Sequence, residues 1–134
     1  MDDAAFIAAF EGGTLAPERF RHRDHLRLAW LYLREAPLAG ALERFSAGLR
    51  RFARAAGKEG LYHETITVAY MALVNERMAR DPGLDWEEFA RANADLFDHP
   101  AALRVYYRDE TLRSDLARAV FVLPDRGCAG ATRG

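Results

Sequence analysis

A chain of 134 residues has the size of one domain and is long enough to bury a core without covalent staples. Its hydrophobic share of 50%, ordinary charged share of 29% and formal net charge of -1 exclude a disordered chain and argue against nucleic acid as the main partner. No apolar run reaches the ~18 residues of a transmembrane helix, and Met1-Asp2-Asp3 lacks the basic-then-apolar layout of a secretory signal. A cytoplasmic protein with no membrane partner is expected. Cys128 is alone in a Gly-rich stretch, so it forms no internal disulfide and has no organised niche to activate a thiolate.

Asp2 or Asp3 caps a short first helix with Phe6, Ile7 and Phe10 inward, stopped by Gly12-Gly13. Thr14 to Arg21 is a connector anchored by Phe20. The second helix starts at His22 or Asp24 and runs to Ala36, with Leu26, Ala29, Tyr32, Leu33 and Ala36 as its apolar stripe. Pro37 ends it and opens a third helix patterned by Leu38, Leu42, Phe45, Leu49, Phe52 and Ala56. After the break at Gly57-Lys58-Glu59-Gly60, a fourth helix spans Tyr62 to Arg80, its inner face marked by Ile66, Tyr70, Leu73 and Val74.

Asp85 with Glu88 forms a capping box for a fifth helix buried through Trp86, Phe89, Ala90 and Leu96. Asp98-His99-Pro100 opens another short helix, with Leu103 and Tyr106 or Tyr107 inward. Ser114 caps a last piece in which Leu116 and Val120 are expected to be buried, and Phe121 to Leu123 lies extended over the bundle. No strand alternation and no repeat appears. The fold class is all-α: a single domain over 1–125, a four-helix up-down core with short additional C-terminal helices, and a loose tail over 126–134.

Two polar clusters fall where the helices should be apolar. His63 and Thr67 land inside the face of Ile66 and Tyr70, and His22 and His25 lie on the buried stripe of the second helix. Short connections favour antiparallel neighbours, so the second and fourth helices run parallel and their N-terminal turns share one end of the bundle. His25 and His63 therefore converge. Burial and the positive end of a helix both disfavour imidazolium, leaving the neutral ring that binds metal or serves as a base.

Three readings follow. In a metal-free pocket for a small molecule, His63 is the general acid or base, Glu64 and Thr67 orient it, and Tyr62 lines the wall. Arg19, Arg104 or Arg108 would meet an anionic group there. In a metal site, His22, His25 and His63 hold divalent zinc or iron, although adjacent His63 and Glu64 diverge by about 100° on a helix. In the third reading the histidines are structural, and the chain is a non-catalytic interaction module forming a homodimer or docking a partner helix. The sequence has no phosphate-cradling glycine loop, cysteine-pair site or dinucleotide fingerprint.

Phe20-Arg21-His22-Arg23-Asp24-His25-Leu26 together with Tyr62-His63-Glu64-Thr65-Ile66-Thr67 resembles a pattern shared by a group of small uncharacterised bacterial all-helical proteins. The resemblance runs from about Phe6 to Asp125, through Tyr106-Tyr107 and a terminal Val122-Leu123-Pro124-Asp125. It implies that the two histidine motifs belong together; no activity, cofactor or substrate comes with it.

Overall fold

Residues 1–126 are described by the computed structural model, so most of the expected loose tail, with Cys128 in it, lies outside the described residues. Among the described residues there are eight α-helices, three 3-10 turns and no strand. None of these helices is long and apolar enough to cross a membrane.

Helix α1 (Asp3–Glu11) is capped by the Asp2 carboxylate, which accepts from the Ala5 N–H at 2.7 Å, and buries Phe6 and Phe10. Gly12 ends it and Gly13, at φ 78°, turns the chain in a conformation that side chains with a Cβ resist. A 3-10 turn (Pro17–Arg19) then delivers Phe20 into the core. Helix α2 (His22–Glu35) starts at the earlier of its two expected positions. Asp24 is its third residue, and its carboxylate reaches back to the Arg21 N–H at 2.9 Å. The buried surface of α2 is wider than one stripe, because Leu28, Trp30 and Leu31 are buried as well as Leu26, Ala29 and Tyr32. Such a helix is covered on several sides. Its neighbours are α3 (Leu38–Ala55) and α4 (Glu64–Arg80), and these three pack against one another in every pair.

The C-terminal third is a chain of short pieces. Helix α5 (Trp86–Ala92) has the capping box expected of Asp85 and Glu88, with Glu88 N–H on Asp85 at 2.8 Å and Asp85 N–H on Glu88 at 2.9 Å. Leu96 belongs to the next 3-10 turn (Ala94–Phe97) rather than to α5. That turn is held to α4 by Arg77, whose guanidinium grips Asp95 at 2.8 and 2.9 Å and the Asn93 side chain at 2.9 Å. Helices α6 (Ala101–Arg104), α7 (Asp109–Leu112) and α8 (Asp115–Ala119) complete the fold, and α8 packs on α4.

Helix α7 is a single turn, too short a run to show a period. One expectation fails in this region. In α8 the buried residue is Ala117, whereas Leu116 is 64% and Val120 48% exposed. The reason lies in the backbone: α8 must bring the Val120 carbonyl to the hydroxyl of Thr65, and the small Ala117 permits that approach. Thr65, fully buried, donates to the Val120 carbonyl at 2.8 Å and accepts from the Val122 N–H at 3.0 Å. It thereby straps the extended 120–123 segment to α4. Tyr107, not Tyr106, is the inward member of the tyrosine pair, and its phenol donates to the Val122 carbonyl at 2.7 Å. Asp125 ends the strap by accepting from the Arg108 N–H at 3.0 Å and from the Thr111 hydroxyl. Arg126, assigned to the loose tail, is tied as well: its backbone N–H donates to the Tyr106 carbonyl at 2.9 Å.

Gly48 on α3 marks the tightest contact of the aromatic core. A Cβ there would lie 2.5 Å from Cε2 of Phe10, whose ring is itself lodged between Phe20 and Phe52. Gly48→Ala is therefore expected to lower unfolding free energy by about 1–3 kcal/mol, although alanine is the better helix former. Urea denaturation measures it. An unchanged or raised midpoint would show that Phe10 has room to move.

Candidate functional site

The chain contains four histidines, and all four line one cavity of about 460 Å³. The N-terminal turn of α2 contributes His22 and His25, the entry to α4 contributes His63, and the turn before α6 contributes His99. The last turn of α3 brings Phe52, Ala53 and Ala56 to the same wall. Phe20, Phe45, Leu49 and Ile66 make most of the remaining surface apolar, with Tyr62, Thr67 and Tyr70 as further polar side chains. Among the described residues no carboxylate lines it, and Lys58, on the exposed loop after α3, is the one formally charged group in the lining.

His63 is not a residue of the helical face. It is the N-cap of α4, preceded by a 3-10 turn (Glu59–Leu61), so the helix begins two residues later than the periodicity suggests. Its Nδ1 accepts from the Ile66 N–H at 3.1 Å, and its Nε2 lies 2.7 Å from the Leu112 carbonyl. A carbonyl only accepts, so Nε2 carries the proton and Nδ1 the lone pair. Both nitrogens are committed. In this arrangement the ring offers no free lone pair to a metal or a substrate proton. Thr67 does not orient the ring either; its hydroxyl donates to the His63 carbonyl at 2.8 Å.

Glu64 lies outside the cavity lining, where its carboxylate accepts from the Tyr62 phenol at 2.7 Å and from Arg50 at 3.2 Å. Tyr62 does line the wall, with the Arg50 guanidinium stacked on its outer face at 4.7 Å. Arg19, Arg104 and Arg108 are absent from the lining. As for metal, no group of three or more His, Cys, Asp or Glu among the described residues is disposed to hold an ion. With His63 committed, the expected set of His22, His25 and His63 shrinks to two.

In His22 one ring nitrogen is bonded to the protein and the other is not. Its Nε2 donates to the Leu96 carbonyl at 2.8 Å, which selects the tautomer and leaves the Nδ1 lone pair without a partner among the described residues. Leu96 is in turn held by the Arg77 clamp on its 3-10 turn. The His22 ring stacks on His99 at a centroid distance of 4.8 Å and meets the edge of Tyr70 at 4.9 Å. His99 stands at the entrance to α6 and Tyr70 is a buried core residue of α4, and the Tyr70 phenol sits 2.9 Å from His99 Nδ1. The Tyr70 hydroxyl is buried and has no other acceptor among the described residues, so it donates to Nδ1. His99 therefore carries its own proton on Nε2. His25 packs its ring face on Phe20 at 4.0 Å, and its nitrogens make no hydrogen bond of good geometry among the described residues.

All four imidazoles are held neutral at pH 7. Desolvation is the largest cause in each case. His25 is pushed down to about 4, with the neighbouring His22 adding to the effect and the Phe20 backbone opposing it. The Leu112 carbonyl offsets part of the depression of His63, and Arg118 deepens it. With the geometry in hand, comparison with known proteins adds nothing further: no family model, no curated protein and no solved structure matches the chain.

Two outcomes follow. His63→Ala strands the Leu112 carbonyl and the Ile66 N–H together, so unfolding free energy should fall by about 2–4 kcal/mol. A loss under about 0.5 kcal/mol in urea melts would mean that water replaces both bonds. The pH dependence has a definite sign. Folded histidine pKa values lie below the free value of 6.5, so the unfolded chain binds protons that the folded chain refuses. Stability should be complete above 6.5 and fall as the pH drops toward about 4, where His25 protonates in place. Between about pH 6.5 and 5, where carboxylates titrate little, His25→Gln should flatten the slope seen in urea unfolding.

Proposed function

We propose that this protein binds a small molecule in the histidine-lined cavity, at one end of an up-down helical bundle, with His22 as the acid–base group. The convergence of all four histidines on one largely apolar cavity of about 460 Å³ carries the reading, because that size and lining suit a small organic ligand. His22 takes the role because it alone combines a backbone carbonyl on one nitrogen with a lone pair on the other. A neutral imidazole so oriented accepts a proton from a bound group and returns it. His25 is the second polar contact, and Tyr62 and Thr67 shape the wall. In the metal-bound form of this proposal, His22 and His25 would supply the protein ligands for zinc or iron, the remaining positions going to the bound molecule or water. Kinship with the group sharing the two histidine motifs is part of the same proposal, as is a cytoplasmic location.

Saturable uptake of N-phenyl-1-naphthylamine, an uncharged fluorophore that brightens in apolar surroundings, tests the cavity. One molecule per chain is expected, and Ala53→Phe, which grows a ring into the wall, should weaken binding about tenfold or more. Absence of saturable binding, or binding indifferent to Ala53→Phe in a folded variant, would refute the pocket. A second reading, an interaction module or homodimer, is favoured by the exposed side chains of Leu116, Val120, Phe121 and Leu123. Sedimentation separates the two: under that reading Leu116→Glu dissociates a complex, and under the pocket reading it is silent.

A further inference from the structure

The stacked pair His22 and His99 presents complementary, unspent hydrogen-bonding groups to the cavity. On His22 the free atom is Nδ1, an acceptor, because Nε2–H is used on the Leu96 carbonyl. On His99 the free atom is Nε2–H, a donor, because Nδ1 takes the Tyr70 proton. The ring centroids are 4.8 Å apart and the planes inclined by only 29°, so the two rings line the cavity side by side. We infer that the cavity recognises an uncharged, mainly apolar molecule through a single hydroxyl, which donates to His22 Nδ1 and accepts from His99 Nε2–H. This rests on the pocket reading and adds the ligand class to it.

The alternatives match less well, each for a stated reason. A carboxylate has no proton to give, so its oxygen lone pairs would oppose the Nδ1 lone pair. An ammonium group has no acceptor for the His99 N–H. A methyl group leaves both polar atoms desolvated and unpaired, which is the costly case. The body of the ligand would lie against Phe20, Phe45, Leu49, Phe52 and Ile66, a wall without inner charge. Among the described residues Lys58, on an exposed loop, is the sole charged contributor.

Three probes that differ only in one substituent decide it: 2-naphthol, 2-methylnaphthalene and 2-naphthoate, titrated by calorimetry at neutral pH. Naphthol is expected to bind about tenfold tighter than either of the others, the effect of two neutral hydrogen bonds over none. His22→Phe should reduce that preference to about twofold or less while methylnaphthalene binding is retained. His99→Phe provides the same readout should His22→Phe fail to fold. Equal affinity for naphthol and methylnaphthalene, or a preference that survives loss of either ring, overturns the hydroxyl assignment. If N-phenyl-1-naphthylamine still binds, the pocket itself stands. Tighter binding of naphthoate would assign the site to anions through Lys58 and overturn the inference. If none of the probes binds, the pocket reading fails and this one with it.

Discussion

One imidazole joins the two halves of the molecule. His63 closes the first turn of α4 through Nδ1 and holds the end of α7 through Nε2–H. Without the first bond α4 would begin with an unsatisfied N–H beside the core. Without the second, the carbonyl of the buried Leu112 would lose its partner. Both bonds require the neutral ring in one tautomer, and burial enforces that state. The short C-terminal helices are too small to be stable alone. They depend on side chains of α4: His63 for α7, Thr65 for the strap, Arg77 for the turn that carries Leu96.

That arrangement assigns the Tyr62-His63-Glu64-Thr65-Ile66-Thr67 run mainly to construction. Each of its polar side chains has a protein partner: Tyr62 with Glu64, Glu64 with Arg50, His63 with α7, Thr65 with the strap, and Thr67 with the carbonyl of His63. A polar group inside an apolar face has two ways to avoid the desolvation cost: to bind a ligand or to bond to the protein. This run takes the second. The other cluster leaves atoms unspent. His22 retains a lone pair, His99 retains a donor, and His25 stacks on Phe20, all at the surface of the same cavity.

The unsatisfied polar atoms thus lie not in the motif with the densest polar pattern but in the one whose hydrogen bonds are incomplete. The C-terminal segment makes the difference, since it supplies both the Leu96 carbonyl that orients His22 and the His99 ring stacked on it. In sequence, Leu96 and His99 lie 74 and 77 positions from His22. Its anchoring by Arg77 and the strap is therefore part of the site, although neither touches the cavity.

Local pattern was enough to read the helical class, the caps at Asp2, Asp85 and Ser114, the core faces of α1 and α3, and the extended strap. Each depends on contacts within a few residues or on a repeat of 3.6. Connection lengths also placed His25 and His63 on one cavity, because short turns leave adjacent helices few ways to pack. Which ring nitrogens remain free was beyond that reading, since it depends on carbonyls of Leu96 and Leu112 dozens of positions away. The same holds for α8, where the requirement to bring Val120 to Thr65 overrides a hydrophobic pattern that would have buried Leu116. Sequence determined which segments are helical and where the histidines gather; tertiary contact alone decided which of their ring nitrogens are spent on the fold and which keep no protein partner.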